Sequence, residues 1–371
     1  MDLLLLAGSL ALILAGAELF TNGIEWFGHR LNLAEGAVGS VLAAVATAMP
    51  ETLIPVIAIL GPLVTGGGAP HSAEVGVGAI LGAPFMLATL AMFVTGVAVL
   101  IVGRGGRRRT DMAVNVTILG RDVLFFVVAY AIAIATAFLP PAISGVKWPI
   151  AALLLVIYAV YVRAHFTDEA GESDPSGLNR LHLTRLPGMV PEPMVDIELL
   201  PVVRPGPAVQ VPRLRVIVAQ VLVALGCIVV GARVFVGAVE DISAMIGTDP
   251  RILALVIAPI ATELPEKFNS VIWVRSGKDT LAMGNITGAM VFQSCIPTVL
   301  GLLFTEWAFS AQSALSFASA GAAFVAVLLI FGMMLRRRRL SAWSLLIGGP
   351  IYVAYLLAAL LLPVAVAPIG H

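Results

Sequence analysis

Charge is scarce in this chain: 12% of its 371 residues are Asp, Glu, Lys or Arg, against 59% hydrophobic, and the net charge is zero. So little charge excludes an ordinary soluble domain, and the even balance offers nothing to nucleic acid. Cysteine is almost absent. Cys227 and Cys295 both lie in apolar runs, so neither a disulfide framework nor metal-ligand spacing is available. Histidine is missing from the middle of every apolar run. His29, His71, His165, His182 and His371 fall in loops, at span ends or at the terminus, and are expected to be solvated. The N-terminus has no basic segment before its apolar run, and that run exceeds the core of a signal peptide, so it reads as an uncleaved first span. The alternation of barrel strands is also missing.

What is present is a series of apolar runs, each long enough to cross a bilayer as a helix, and a mean hydropathy of +1.00. Ten spans are expected, near 3–28, 36–60, 74–102, 117–139, 148–164, 214–240, 250–273, 281–305, 313–335 and 342–362. The fold class is therefore an all-α polytopic membrane protein. Between the fifth and sixth spans lies the one long polar segment, rich in proline from Pro175 to Pro207, which reads as a flexible linker. Arg30, Arg104, Arg107 to Arg109, the linker arginines, Arg275 with Lys278, and Arg336 to Arg339 occupy alternate loops; the opposite loops carry Lys147 and Arg251. The positive-inside rule then predicts a cytoplasmic linker and both termini outside, in the inner or plasma membrane of a prokaryotic cell. Trp26, Trp148, Trp307 and Trp343 lie near span ends, as in an aromatic belt.

One short motif occurs twice inside these runs: ATAMPE, Ala46 to Glu51, and ATELPE, Ala261 to Glu266. Proline donates no N–H and clashes with the carbonyl four residues back, so Pro50 frees the oxygen of Ala46 and Pro265 that of Ala261. Thr47 and Glu51 are four apart, as are Thr262 and Glu266, which puts hydroxyl and carboxylate on one helical face. Glu263 is three residues before Glu266 and shares its face. Such oxygens hold hard cations, and intramembrane carboxylates are costly enough to be functional as a rule. The plain alternative, a proline kink and a glutamate that locks packing, accounts less well for two copies.

The copies are in register. Glu266 follows Glu51 by 215 residues (266 − 51), and GARVF at Gly231 follows GAELF at Gly16 by the same 215 (231 − 16). GNITGA at Gly284 follows GAILGA at Gly78 by 206, a difference placed in the loop around Gly66 to Gly68. Five spans per copy is odd, so the second must enter the membrane from the other side. Two inverted five-helix repeats result, 1–164 and 213–371, joined by the linker at 165–212. Glu18 and Arg233 occupy equivalent positions and are expected to form an ion pair between the first and sixth spans, either a gate or a static brace. Glu18, Glu51, Glu263 and Glu266 against Arg233 and Lys267 leave a formal −2, which one calcium, two sodium ions or two protons would neutralise.

T-x-x-P-E followed by a helix bearing G-N-x-x-G, duplicated in inverted halves about a cytoplasmic loop, resembles the cation/calcium antiporters of the sodium/calcium exchanger superfamily, over about 12–95 and 227–305. The resemblance implies a secondary antiporter that exchanges sodium or protons for calcium or another cation, with no resident cofactor, no catalysis, and the cations and lipid bilayer as partners. It makes Glu51, Glu266, Thr47 and Thr262 central ligands, with the carbonyls of Ala46 and Ala261. On the helix after the second motif, Asn285, Gly288, Ala289, Phe292 and Gln293 share a face, and Gln293 stands where the family carries a further polar ligand. The chain departs from the pattern at Ala48, Ala83, Ala79 (partner of Asn285) and Leu87 (partner of Gln293). Calcium takes six to eight oxygens, so a poorer first half leaves sodium, a proton or a partly hydrated divalent ion open, and a non-transporting sensor or scaffold as the other class.

Overall fold

The structure is a computed structural model that describes residues 2–30, 44–65, 72–104, 110–168, 181–182, 212–247, 270–271, 273–275, 277, 279–311 and 313–361. The seventh expected span, with Ala261, Thr262, Glu263, Glu266 and Lys267, lies outside the described residues almost entirely, as does most of the linker. The described chain is helical apart from one pair of two-residue strands and short connections. In hydrocarbon, a backbone with no water to bond must satisfy itself, and a helix does so within one segment.

The helices are α1 (Asp2–Arg30), α2 (Ala44–Thr47), α3 (Met49–Thr65), α4 (Ser72–Met86), a π-helical turn (Leu87–Ala91), α5 (Met92–Arg104), α6 (Val116–Thr136), α7 (Lys147–Asp168), α8 (Leu214–Ile246), α9 (Asp279–Phe304), α10 (Ala314–Arg337), α11 (Ala342–Leu345) and α12 (Gly348–Leu361). Eight segments among the described residues are long and apolar enough to span a membrane, with Glu51–Val64 a shorter apolar helix. Their ends follow local chemistry. Asn115 caps α6, its Oδ1 accepting from the amides of Thr117 and Ile118 at 3.1 and 3.2 Å. Gly247 ends α8 in the left-handed region, at φ +66°. At 33 residues α8 is about 50 Å long, more than the hydrocarbon depth.

Two apolar cores organise the bundle. The larger gathers α4 to α7, α9, α10 and α12; the smaller joins α1 and α8 to one side of α3 and α4. Helix α9 is the central post, with 83% of its apolar window buried against 28% for α8. Helices α1 and α8 run antiparallel, since Gly16 meets Ile228 while Gly23, further along α1, meets Val221, earlier on α8.

At one end of the bundle the residues before α6, those between α10 and α11, and the start of α9 meet. There Asp111 and Met112 (β1) pair with Ser341 and Leu340 (β2), the amide of Ala113 donates to Asp279 Oδ2 at 2.8 Å, and Arg339 lies 3.8 Å from Asp111. At the other end Lys147 Nζ donates to the Glu306 carbonyl at 2.6 Å, and Phe309 N donates to Ala137 O at 2.8 Å.

Several expectations are corrected. His165 is 3% exposed rather than solvated, because the last turns of α7 pack against α6 and α9. Trp148 and Trp343 are exposed, but Trp26 and Trp307 are buried; Trp307 Nε1 donates to Ala133 O at 3.0 Å, which ties its ring inward. Glu18 points outward, 75% exposed, with its Oε1 3.5 Å from His182 Nε2, and Arg233 is exposed on α8. These two form no ion pair with each other: Glu18 reaches His182, and the buried α1–α8 contact is made by glycines, aliphatics and the Gln220–Asn22 amide pair. Within the linker, Leu181 is buried against Trp26 and Ile217, and His182 N donates to Asn22 Oδ1 at 3.1 Å.

Candidate functional site

The ATAMPE segment breaks its helix as the proline predicts. Ala48 stands between α2 and α3, with hydrogen bonds on either side of the missing Pro50 donor, from Ala48 N to Ala44 O at 3.0 Å and from Thr52 N to Ala48 O at 3.1 Å. Ala46 and Thr47 close α2; Glu51 opens α3 and is 4% exposed. Pro55 and Pro62, inside α3, likewise leave the carbonyls of Glu51 and Ala58 without a helical donor. The reading of the motif overlooked both prolines, although their spacing from Glu51 and Ala58 signals them. It also overlooked Thr52, whose buried hydroxyl donates to Ala48 O at 2.7 Å.

Helix α9 packs against both pieces of this broken helix, and its Asn285 and Gln293 are each at most 1% exposed. The two sequence-predicted polar residues of α9 are thus inside the bundle. Gln293 reaches the motif directly, its Nε2 donating to Ala48 O at 3.5 Å. A carbonyl can only accept, so this contact fixes which end of the amide faces α2 and turns Oε1 away from it. That oxygen is buried and has no hydrogen-bond donor among the described residues. A buried acceptor without a donor is suited to a cation. Pro297, four residues on, frees the Gln293 main-chain oxygen, and Thr298 Oγ1 takes it at 3.0 Å, so the helix is held firmly where Gln293 projects. Phe292 packs edge-on against Tyr158 at 5.7 Å and closes the far side.

The first-repeat counterparts Ala79 and Leu87 are 2% exposed and apolar. Leu87 starts the π-helical turn, whose Thr89 bonds back to the Phe85 carbonyl. The described part of the site is therefore lopsided. Glu51, Asn285 and Gln293 are buried polar residues, whereas the first-repeat counterparts of the last two, Ala79 and Leu87, are buried and apolar.

Away from the β1–β2 pair, a cavity of about 770 Å³ opens between the end of α3, the start of α4 and the end of α9. Glu74 and Glu306 line it beside Val77, Trp307 and Phe317. Two carboxylates over low-dielectric walls raise the local concentration of cations.

Comparison with known proteins places this geometry in context. The profile of the family described as "Sodium/calcium exchanger protein" matches residues 1–166 and 216–361. A search of curated proteins found no match. Among solved structures, the H+/Ca2+ exchanger CAX is similar at a TM-score of 0.71 and 15% identity, over 98% of this chain and 82% of that one. The sodium-calcium exchanger NCX_Mj, soaked with 2.5 mM Na+ and 0.1 mM Sr2+, is similar at 0.59 and 15% identity, over 98% of this chain and 100% of that one. The same exchanger soaked without Na+ and Ca2+ gives 0.57 at 15% identity, over 96% and 98%.

Proposed function

Because the chain belongs to the sodium/calcium exchanger protein family, we propose that it is a secondary antiporter exchanging sodium or protons for calcium or another cation at one central site. It is an integral membrane protein, and in this reading the ion sits between the broken α2–α3 helix and α9. Glu51 and Glu266 carry the charge that balances it. Thr47, Thr262, Asn285, Glu263 and the carbonyls of Ala46 and Ala261 complete the set, with Gln293 bridging motif and α9. Cations and lipid are the partners, and no resident cofactor is needed, since the cargo itself supplies the positive charge.

One observation carries the assignment: Gln293 Oε1 is buried beside Glu51's segment with its amide nitrogen already committed to Ala48. An acceptor held so has its orientation prepared before the ion arrives, which lowers the ordering cost of binding. The halves, 1–164 and 213–371 about a linker at 165–212, then act as two inverted units that open to either side in turn. The recurrence of arginines on alternate loops of the sequence supports a cytoplasmic linker with both termini outside, in a prokaryotic inner or plasma membrane.

The test is gradient-driven calcium-45 uptake into proteoliposomes, with sodium and proton gradients imposed separately. Uptake that follows one gradient and is lost in both Glu51→Gln and Glu266→Gln is the expected result; full uptake in both variants would overturn the carboxylate site. The apolar Ala79 and Leu87 favour a second reading, a non-transporting sensor or scaffold. Isotope binding separates the two, because a scaffold retains neither calcium nor sodium.

A further inference from the structure

A second buried polar cluster lies outside that site. On α6, Asp122 is fully buried; Thr287 Oγ1 of α9 donates to its Oδ2 at 2.7 Å, and His165 Nε2 of α7 stands 3.1 Å from its Oδ1. The other ring nitrogen of His165, Nδ1, is 3.2 Å from the Tyr161 carbonyl. That carbonyl can only accept, so Nδ1 carries a hydrogen. A neutral ring then has a bare lone pair at Nε2, aimed at a carboxylate oxygen. Lone pair against lone pair at this distance is repulsive, and burial keeps both groups out of bulk solvent. A single proton between Nε2 and Oδ1 turns the repulsion into a charge-assisted bond.

We propose that Asp122 and His165 form a proton-binding site, and that Thr287 transmits its occupancy to α9. With the proton, the pair draws α6, α7 and α9 together. Without it, Nε2 and Oδ1 part and Asp122 is left to Thr287. Histidine is the side chain whose unperturbed charge change lies nearest neutral pH, which makes it the usual carrier of such a proton. The site lies toward the end where β1 and β2 pair, since Asp122 is in the second turn of α6 and His165 in the last turn of α7.

The surroundings contain few competing groups. Arg121 on α6, and Tyr161 and Tyr158 on α7, bear on the same cluster, and the Tyr161 phenol faces the Asp122 carboxylate. Arg163 is exposed on another face of α7. On α9 the nearest titratable residues in sequence are Asp279, eight before Thr287 (287 − 279) and bonded to Ala113 N, and Cys295, eight after it (295 − 287), beside Tyr158. Helix α10 meets α6 through Phe324, and its only ionisable residues, Arg336 and Arg337, are in its last turn. The readout reaches the ion site through one helix. Thr287 is two residues past Asn285 and six before Gln293, about 9 Å along α9 from the latter.

Proton binding stands apart from the transport reading; its effect on flux rests on that reading. The experiment is an NMR titration of the full chain in micelles with ¹⁵N-labelled histidine, from about pH 5 to 9, the His165 resonances being identified by His165→Gln. Expected is a loss of proton affinity at His165 of at least about tenfold in Asp122→Asn, which removes the charged partner. A His165 ring that does not titrate in this range, or a midpoint unmoved by Asp122→Asn, overturns the site. For transmission, Thr287→Val is expected to keep the His165 titration and flatten the pH dependence of calcium-45 uptake; an unchanged pH dependence overturns the role of Thr287. If the unaltered protein moves no calcium, the antiporter reading fails, and the titration still decides the proton site.

Discussion

Gly16 rests against Ile228, and its repeat equivalent Gly231 rests against Ile13, the equivalent of Ile228. A Cβ at Gly16 would lie 2.7 Å from Ile228 Cγ1 and 3.0 Å from Ala224 O; at Gly231 it would lie 2.7 Å from Ile13 Cγ1 and 3.0 Å from Ser9 O. The offsets 228 − 13, 231 − 16 and 224 − 9 are each 215. Reciprocal contacts of this kind arise only about a two-fold axis, and because α1 and α8 are antiparallel that axis crosses the helices rather than running along them. The first span of each half thus carries the inverted relation in its packing. Small residues at the crossing let the backbones approach, which is how helices associate where lipid offers no hydrophobic drive.

The crossing predicts an asymmetry of tolerance. Gly231→Val and Gly16→Val force atoms into occupied space on both sides of the same axis and are expected to cost about 1–3 kcal/mol each. Gly226, where a Cβ meets nothing within 4 Å, should accept alanine without loss. Thermal unfolding in detergent, followed by tryptophan fluorescence, compares the three; equal midpoints would mean the crossing is loose.

At the proposed ion site, Gln293→Leu removes the buried acceptor while keeping volume. Hydrogen bonds to charged groups contribute about 1.5–3 kcal/mol, so cation affinity should fall about 10- to 100-fold. Equilibrium binding of calcium-45 or sodium-22 to purified protein measures it, and an affinity unchanged by the substitution would place the ion elsewhere.

How much of this was legible in residue order differs from place to place. Apolar runs marked the stretch from α4 through α5, and α6 to α10, to within a few residues because burial in hydrocarbon demands length and hydropathy, both one-dimensional properties. Pro50 announced the break at Ala48 for the same reason: its missing N–H acts four residues away. Lateral neighbours were not legible. Asp122, His165 and Thr287 come from three helices far apart in the chain, and His165, near the end of an apolar run, gave no sign that α6 and α9 would cover it. Glu18 and Arg233 were correctly matched by repeat register, yet register fixes equivalence, not contact, and the same two-fold that relates them puts glycine rather than charge at the crossing.

Thr298 tests the support behind Gln293. Thr298→Val leaves the carbonyl released by Pro297 buried without its donor, an expected loss of about 1–3 kcal/mol. Cation affinity should fall with stability, since the helix is then free to move where Gln293 projects. Thr298→Ser, which retains the hydroxyl, should recover most of both in paired melting and isotope-binding measurements.

Trp307 offers a check on the outer end of the bundle. Its indole donates to Ala133 O and its ring stacks edge-on against Phe317 at 5.6 Å. Trp307→Phe keeps an aromatic ring and loses the donor, so a drop of about 1 kcal/mol is expected from thermal melts, against about 3–5 for Trp307→Ala.

The two rims have a consequence for how the chain is assembled. Asp111 and Met112 are zipped to Ser341 and Leu340 at one rim, and Lys147 and Ala137 are bonded to Glu306 and Phe309 at the other. Each of these ties crosses from one side of the linker to the other, as does the glycine crossing of α1 with α8. Covalent continuity through 183–211 is then dispensable for holding the molecule together: fragments produced separately from a gene divided within that segment should find one another in the membrane and copurify through a tag on either piece.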